Sequence, residues 1–281
     1  MDWRRAFLCV ASAVLLSLPA EALEGKQVTF DGPKQGPEDL QAQWFRPTGT
    51  KGPIPAIIAL HGCGGSTRPD GRPLARTRDW TERWLAAGYA VLWPDSFGSR
   101  GLGSQCNNRE RVVFPRQRAR DAQAAAKWLA SQPEIDAKRI ALVGWSHGGS
   151  TVLYAIQSGG PAPTPDYRTA IAFYPGCRAP IARARKDGGE WATRLSLNIL
   201  IGAADDWTPA EPCRELARLP SVRYIEYEGA YHGFDGEAPV RVRRGLAYTA
   251  DGSGVAHQGT NPKARAAAIA EVTAILGAAL K

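Results

Sequence analysis

The chain has 281 residues, of which 44% are hydrophobic and 22% charged, the balance of a soluble globule rather than of a disordered chain. Its net charge of +8 comes from scattered arginines, with no long basic run and no interleaved aromatic platform, which argues against a nucleic-acid partner.

Met1-Asp2-Trp3-Arg4-Arg5 is a short basic lead, and Ala6 to Leu18 is an apolar stretch too short to span a bilayer comfortably. Ala20-Glu21-Ala22 then forms an A-x-A site. The pattern predicts a secretory signal peptide over residues 1–22, a mature chain from Leu23, and a periplasmic or secreted protein. The alternative is an uncleaved N-terminal anchor.

A weakly alternating strand is predicted from Ala42 to Arg46. A continuous apolar strand, buried on both faces, follows from Ile54 to Leu60. It runs into the glycine-rich turn His61-Gly62-Cys63-Gly64-Gly65. Asp79 to Ala87 reads as a helix stopped by Gly88, Tyr89 to Trp93 as a buried strand, and Arg116 to Ser131 as a long alanine-rich helix. Arg139 to Val143 is a strand, and His147 to Gln157 a helix. Strands at Ala170 to Tyr174, Leu197 to Ile201 and Val222 to Tyr227 continue the alternation, with a helix from Pro209 to Leu219. Phe234 to Gln258 has little pattern and reads as loop. Asn261-Pro262 opens a last helix to about Ala279, with proline in its first turn. Strands alternating with helices predict an α/β fold on a mostly parallel sheet, as one domain over residues 23–281.

Gly144-Trp145-Ser146-His147-Gly148 fits G-x-S-x-G and lies between a predicted strand and a predicted helix. In that context the serine sits at the apex of a sharp turn, and its partners follow in the order acid, then histidine. Of the four histidines, His61 and His147 precede or adjoin the serine, and His257 has no strand behind it. His232, just past the strand ending at Tyr227, is the expected base. The acid belongs after the strand Leu197 to Ile201, where Asp205 and Asp206 both stand; the other reading of one of them, or of Thr208, is a cap on the helix near Pro209. Backbone N–H groups of Cys63 and His147 are the expected oxyanion donors.

Arg100, in the turn after the strand ending at Trp93, is a candidate to grip a substrate carboxylate, against the alternative of pairing with a nearby acid. Trp145 and Trp207 flank the catalytic candidates. They line a substrate pocket or pack beneath it, and the area an indole buries favours packing. With Cys9 in the signal peptide, Cys63, Cys106, Cys177 and Cys213 remain of the five cysteines. Placement beyond strand ends on one rim favours Cys63–Cys106 and Cys177–Cys213 over free thiols. The absence of C-x-x-C and H-E-x-x-H spacing predicts no metal.

Six segments together resemble the dienelactone hydrolase family of the α/β-hydrolase superfamily: HGCGG at 61–65, DSFGSRG at 95–101, GWSHGG at 144–149, FYPGC at 173–177, GAADDWTP at 202–209 and GAYHGFD at 229–235. They fall in the family's order and span nearly the whole predicted mature chain. The resemblance implies an α/β-hydrolase fold, and the chain length leaves no room for a large cap, which favours small substrates. The resemblance also implies cofactor-free hydrolysis of small-molecule esters or lactones by a Cys or Ser nucleophile with Asp and His. Ser146 stands where dienelactone hydrolases proper carry cysteine, so a carboxylesterase-like serine hydrolase is the expectation rather than a dienelactone hydrolase proper. The spacing usual in that superfamily assigns the acid to Asp205 and leaves Asp206 to cap the following helix. A serine peptidase acting on short peptides and a non-catalytic binding protein are the rival readings.

Overall fold

A computed structural model describes residue 23 and residues 25–159 and 163–281. The expected signal peptide over residues 1–22 lies outside the described residues. Among those described, no helix is long and apolar enough to cross a membrane.

The core is one eight-stranded sheet. Its strands are β1 (Lys26–Asp31), β2 (Asp39–Phe45), β3 (Ile54–Leu60), β4 (Ala90–Pro94), β5 (Ile135–Trp145), β6 (Thr169–Phe173), β7 (Leu197–Gly202) and β8 (Val222–Tyr227). They lie in the order β1-β2-β4-β3-β5-β6-β7-β8. β1 and β2 pair antiparallel, as do β2 and β4; every pairing from β4 across to β8 is parallel. This is the mostly parallel α/β-hydrolase sheet that the sequence predicts. Every residue of β3, β4, β6 and β7 is buried, because helices cover both faces and leave no polar side to alternate with.

The helices are α1 (Ala75–Ala86), α2 (Pro115–Ala130), α3 (His147–Ala155), α4 (Arg178–Lys186), α5 (Glu211–Leu216) and α6 (Pro262–Ala279). α2 packs against α3, and both reach β3 and β5. α1 packs on β4 and α6 on β6, and Arg265 Nη2 of α6 donates to Asp79 Oδ2 of α1 at 2.8 Å. Asn261 caps α6 by accepting from the Ala264 N–H at 3.1 Å. Because β3, β5, β7 and β8 run parallel, the turns after all four emerge on the same edge of the sheet. That edge is where chemistry collects in open α/β folds.

Several elements differ from the sequence reading. β1 was not anticipated: it is an edge strand whose residues are mostly exposed, so it lacks an apolar signature. α4 was also missed, since RAPIARARK carries only a narrow apolar stripe. The helix expected over Pro209 to Leu219 shrinks to α5. The segment Phe234 to Gln258, expected as loop, contains a two-stranded antiparallel ribbon of β9 (Arg241–Arg243) and β10 (Ala256–Gln258). This flap is pinned to the cleft rim by long-range bonds. Asn107 Nδ2 donates to Gly245 O at 2.7 Å, the Ala247 N–H to Cys106 O at 2.8 Å, and Trp207 Nε1 to Tyr248 O at 2.8 Å.

Disulfides join Cys63 to Cys106 and Cys177 to Cys213. The first ties the turn after β3 to the loop after β4, against which the flap is bonded; with Trp207, Leu246 and Ala256 its cysteines form a small buried cluster apart from the main core. The bridges span sequence separations of 43 and 36 residues. In the chain-entropy picture each contributes about 4 kcal/mol. Reduction should therefore lower the melting temperature by about ten degrees or more. Thermal unfolding with and without reductant measures this, and an unchanged midpoint would contradict the bracing role.

Candidate active site

β5 delivers the chain to Ser146, and α3 leaves from His147. At the apex Ser146 adopts φ 53° and ψ −114°, a strained conformation for a residue with a side chain. The turn closes only because Gly144 and Gly148 lack side chains. A Cβ at Gly144 would stand 2.3 Å from Gly148 O, and one at Gly148 would stand 2.0 Å from Leu60 O. The strain is held by hydrogen bonds: Ser146 N–H donates to Phe173 O at 2.9 Å, and Ser150 N–H to Ser146 O at 2.8 Å. The result pushes Ser146 Oγ out over the sheet edge, at the N-terminus of α3.

His232 Nε2 lies 2.9 Å from Ser146 Oγ, and His232 Nδ1 lies 2.8 Å from Asp205 Oδ2. Asp205 is a carboxylate that can only accept, so Nδ1 carries the proton and Nε2 is left to accept from the serine hydroxyl. Histidine and aspartate are both buried. Asp205 has a second task, because its Oδ1 accepts the N–H groups of Trp207 at 3.0 Å and Thr208 at 2.8 Å. The loop is thus folded around the same carboxylate that orients the imidazole. Thr208 Oγ1 adds a further contact, 3.1 Å from Asp205 Oδ2, 3.1 Å from His232 Nδ1 and 2.9 Å from Tyr174 O. The Trp207 and Tyr174 rings flank the imidazole at 4.6 and 4.5 Å between centroids.

Cys63 and His147, the expected oxyanion donors, line one cavity with Ser146. That cavity has a volume of about 610 Å³ and a mainly apolar wall that includes Phe114, Tyr154, Trp207 and Tyr248. A second cavity, of about 430 Å³, reaches Ser146 from the side of His232 and is bordered by Arg241 and Arg243 of the flap. Two chambers meeting at one hydroxyl suit a molecule whose two halves lie on either side of a scissile bond.

For Arg100 the structure replaces the substrate grip with the acid pair, for Trp145 it bears out the packing that indole area favours, and for Asp206 it corrects the helix cap. Arg100 does not reach the cleft: it forms a bidentate pair with buried Asp121, at 2.8 and 2.9 Å, and donates to Ser96 O, holding the turn after β4. Trp145 is a core residue; it stacks on Phe173 and Trp93 and donates Nε1 to Asp235 Oδ2 at 2.9 Å. Asp206 caps no helix. It binds His257 instead, with Oδ1 accepting the backbone N–H at 2.8 Å and Oδ2 lying 2.7 Å from Nδ1. Trp207, by contrast, lines the cleft and packs against His232.

Sequence reading missed the floor beneath His232. Asp235 is buried and gathers four donor groups: Trp80 Nε1 at 2.9 Å, Trp145 Nε1 at 2.9 Å, Tyr174 O–H at 2.7 Å and Arg76 Nε at 3.1 Å. Burial, opposed by Arg76 and then reinforced by Asp235, pushes the Tyr174 phenol well above its ordinary range, so it donates rather than ionises. The only sequence signal was an acid three residues past His232 in an otherwise apolar stretch. Asp235→Asn turns an amide N–H₂ towards these donors and leaves Arg76 without its partner. The substitution should cost about 3–5 kcal/mol of stability, the usual cost of breaking a buried charge pair. Urea unfolding tests this, and a loss below about 1 kcal/mol would show the network to be dispensable.

The comparisons with known proteins bear on this geometry. The m3DLH structure superposes with a TM-score of 0.65 at 19% identity, over 92% of this chain and 100% of that one. Thermogutta terrifontis esterase 2, solved phosphorylated by paraoxon, gives 0.59 at 20% identity over 92% and 95%. These likenesses speak to the fold. Among curated proteins, the quorum-quenching protein AidA of Acinetobacter baumannii is 31% identical over 128 residues, 42% of this chain and 39% of that protein. A probable dipeptidyl-aminopeptidase B of Fusarium vanettenii is 39% identical over 72 residues, 26% of this chain and 8% of that protein. The chain spans well under half the length of either curated relative. The model of the dienelactone hydrolase family matches residues 40–280, from β2 through the turn at Ser146 and the loops that carry Asp205 and His232 to the end of the chain's last helix. On that match the chain belongs to the dienelactone hydrolase family.

Proposed function

We propose that the protein is an exported serine hydrolase that cleaves carboxylic esters or lactones of small molecules through an acyl-enzyme on Ser146. The observation that carries this reading is the unbroken hydrogen-bonded chain from Ser146 Oγ through His232 to Asp205, set where two cavities meet. Membership of the family supports the reaction class. The fold likeness to an esterase that paraoxon phosphorylates supports a serine-type nucleophile.

In this reading Ser146 Oγ attacks the ester carbonyl carbon while His232 Nε2 takes its proton. The carbonyl oxygen becomes an oxyanion held by the N–H groups of Cys63 and His147. As the tetrahedral intermediate collapses, His232 gives the proton to the leaving alcohol and the acyl group stays on Ser146. Water, deprotonated by the same imidazole, attacks the acyl-enzyme and releases the acid. Asp205 holds the imidazole in the required tautomer and stabilises its cation. Export is supported by the pattern of residues 1–22 and by the two disulfides, which fit an oxidising compartment.

A peptidase reading rests on the dipeptidyl-aminopeptidase relative, because the same residues cleave amides. A short chromogenic ester and a dipeptide amide, assayed side by side, separate the two readings; the proposal expects turnover of the ester and contradicts itself if only the amide is cleaved.

Ser146→Ala should lower kcat on the ester by about four orders of magnitude or more, with the fold intact by circular dichroism. Retention of a tenth of the activity would overturn the assignment.

The two neighbouring aspartates should separate cleanly. Asp205→Asn keeps the loop's shape but favours the wrong His232 tautomer, and should cost about a thousandfold or more in kcat. Asp206→Asn loosens the contact to His257 and should cost less than about tenfold, as for an exposed pair. The reverse pattern in steady-state kinetics would transfer the acid's role to Asp206.

A further inference from the structure

Arg118, on α2, is wholly buried beside the site yet takes no part in the steps above. Its Nη1 donates to His147 Nδ1 at 2.8 Å. Its Nε and Nη2 have no hydrogen-bond partner among the described residues, and its guanidinium carbon sits 5.0 Å from the centre of the Phe97 ring. The nearby acids are engaged elsewhere. Asp121 is held bidentately by Arg100, and Asp95 Oδ1 accepts the N–H groups of Phe97 and Gly98. A guanidinium has therefore been taken out of water with no carboxylate bonded to it. Such burial is costly. It pulls the Arg118 pKa down to about 9, with Asp121 and then Asp95 resisting and Arg100 and Arg111 assisting, which leaves the group cationic at neutral pH. A core that needed only to fill this volume would be more stable with an apolar side chain.

What the charge faces gives it a use. Arg118 can only donate, so His147 must present Nδ1 as an acceptor and carry its proton on Nε2. Burial and then the Arg118 charge hold the His147 pKa well below its ordinary value, so the ring is neutral. His147 is the first residue of α3 and follows Ser146 directly. On the reading proposed above, its backbone N–H receives the oxyanion. We infer that Arg118 is a positioning residue for the oxyanion side of the site: it locks His147 in one tautomer and holds a positive charge, hydrogen-bonded to no carboxylate, against the residue whose amide binds the developing negative charge. The stabilisation acts where charge appears in the transition state, not on the neutral ester, so it should enter kcat and leave KM alone.

The test compares Arg118→Met, Arg118→Gln and Arg118→Lys with wild type on a soluble short-chain ester, and records the melting temperature of each. Arg118→Met should lose about thirtyfold in kcat, less than removal of an oxyanion donor itself, with KM within about twofold. Its melting temperature should equal or exceed that of wild type, an outcome a purely structural arginine would not give. Arg118→Lys keeps the charge and should recover most of kcat; Arg118→Gln keeps polarity without charge and should not. If Arg118→Met fails to fold, the Lys and Gln pair decides the matter in the same way. The proposal is overturned if the neutral variants keep kcat within about threefold, or if kcat and melting temperature fall together in all variants, lysine included. Ser146→Ala in the same assay keeps the two claims apart. An active Ser146→Ala enzyme overturns both, whereas an inactive one beside an unaffected Arg118→Met overturns the role of Arg118 alone.

Discussion

The structure depends on one constrained turn, in which a buried parallel strand becomes a helix within a single residue. Ser146 bears that constraint in its positive φ. The surrounding sequence follows from it. Two flanking glycines are needed because Leu60 O and the backbone of the turn itself occupy the space a side chain would take. The neighbouring strand β6 supplies the carbonyl of Phe173 to hold the apex. The helix begins at once, so its free N–H groups face the position where negative charge would develop. Strain of this kind persists only where the rest of the fold over-determines it, and here β3, β5 and β6 all press on the same few atoms.

Around the apex, carboxylates do the organising. Asp205 closes its own loop through two backbone N–H groups and orients His232 with its second oxygen. Asp235, three residues beyond His232, draws two indoles, a phenol and an arginine into one buried node beneath the imidazole. Tyr174 connects the two, since its hydroxyl serves Asp235 while its carbonyl accepts from Thr208 and its ring lies against His232. On the other side of the serine the arrangement is reversed. There an arginine without a carboxylate abuts His147. On the proposed reading, Asp205 against His232 and Arg118 against His147 give the polarity that a developing imidazolium and oxyanion require.

Much of this was legible in the sequence, for identifiable reasons. The central strands announce themselves because burial on both faces makes them continuous apolar runs. The elbow announces itself because its glycines are sterically compelled. The order of serine, acid and histidine follows from connectivity, and it pointed to residues that the fold brings within hydrogen-bond distance. What escaped was set by tertiary contact. Arg100 invites pairing with an acid, but its partner Asp121 lies 21 residues on and is brought beneath it only by folding. Asp206 reads as a cap until His257, 51 residues away, returns to it through the flap. Asp235 shows no local sign of its four donors, which come from three other stretches of chain. The edge strand β1 and the ribbon of β9 and β10 carry no periodic apolar signal, because they bury little.

The central claim is that Ser146 is a nucleophile activated by His232, and reaction with a serine-directed aryl phosphonate addresses it most directly. Peptide mapping by mass spectrometry should find one adduct, on Ser146. The same reagent should modify a His232→Ala variant about a thousandfold more slowly, because the hydroxyl is then without its base. An adduct on a different residue, or equal labelling rates in the two proteins, would contradict the account.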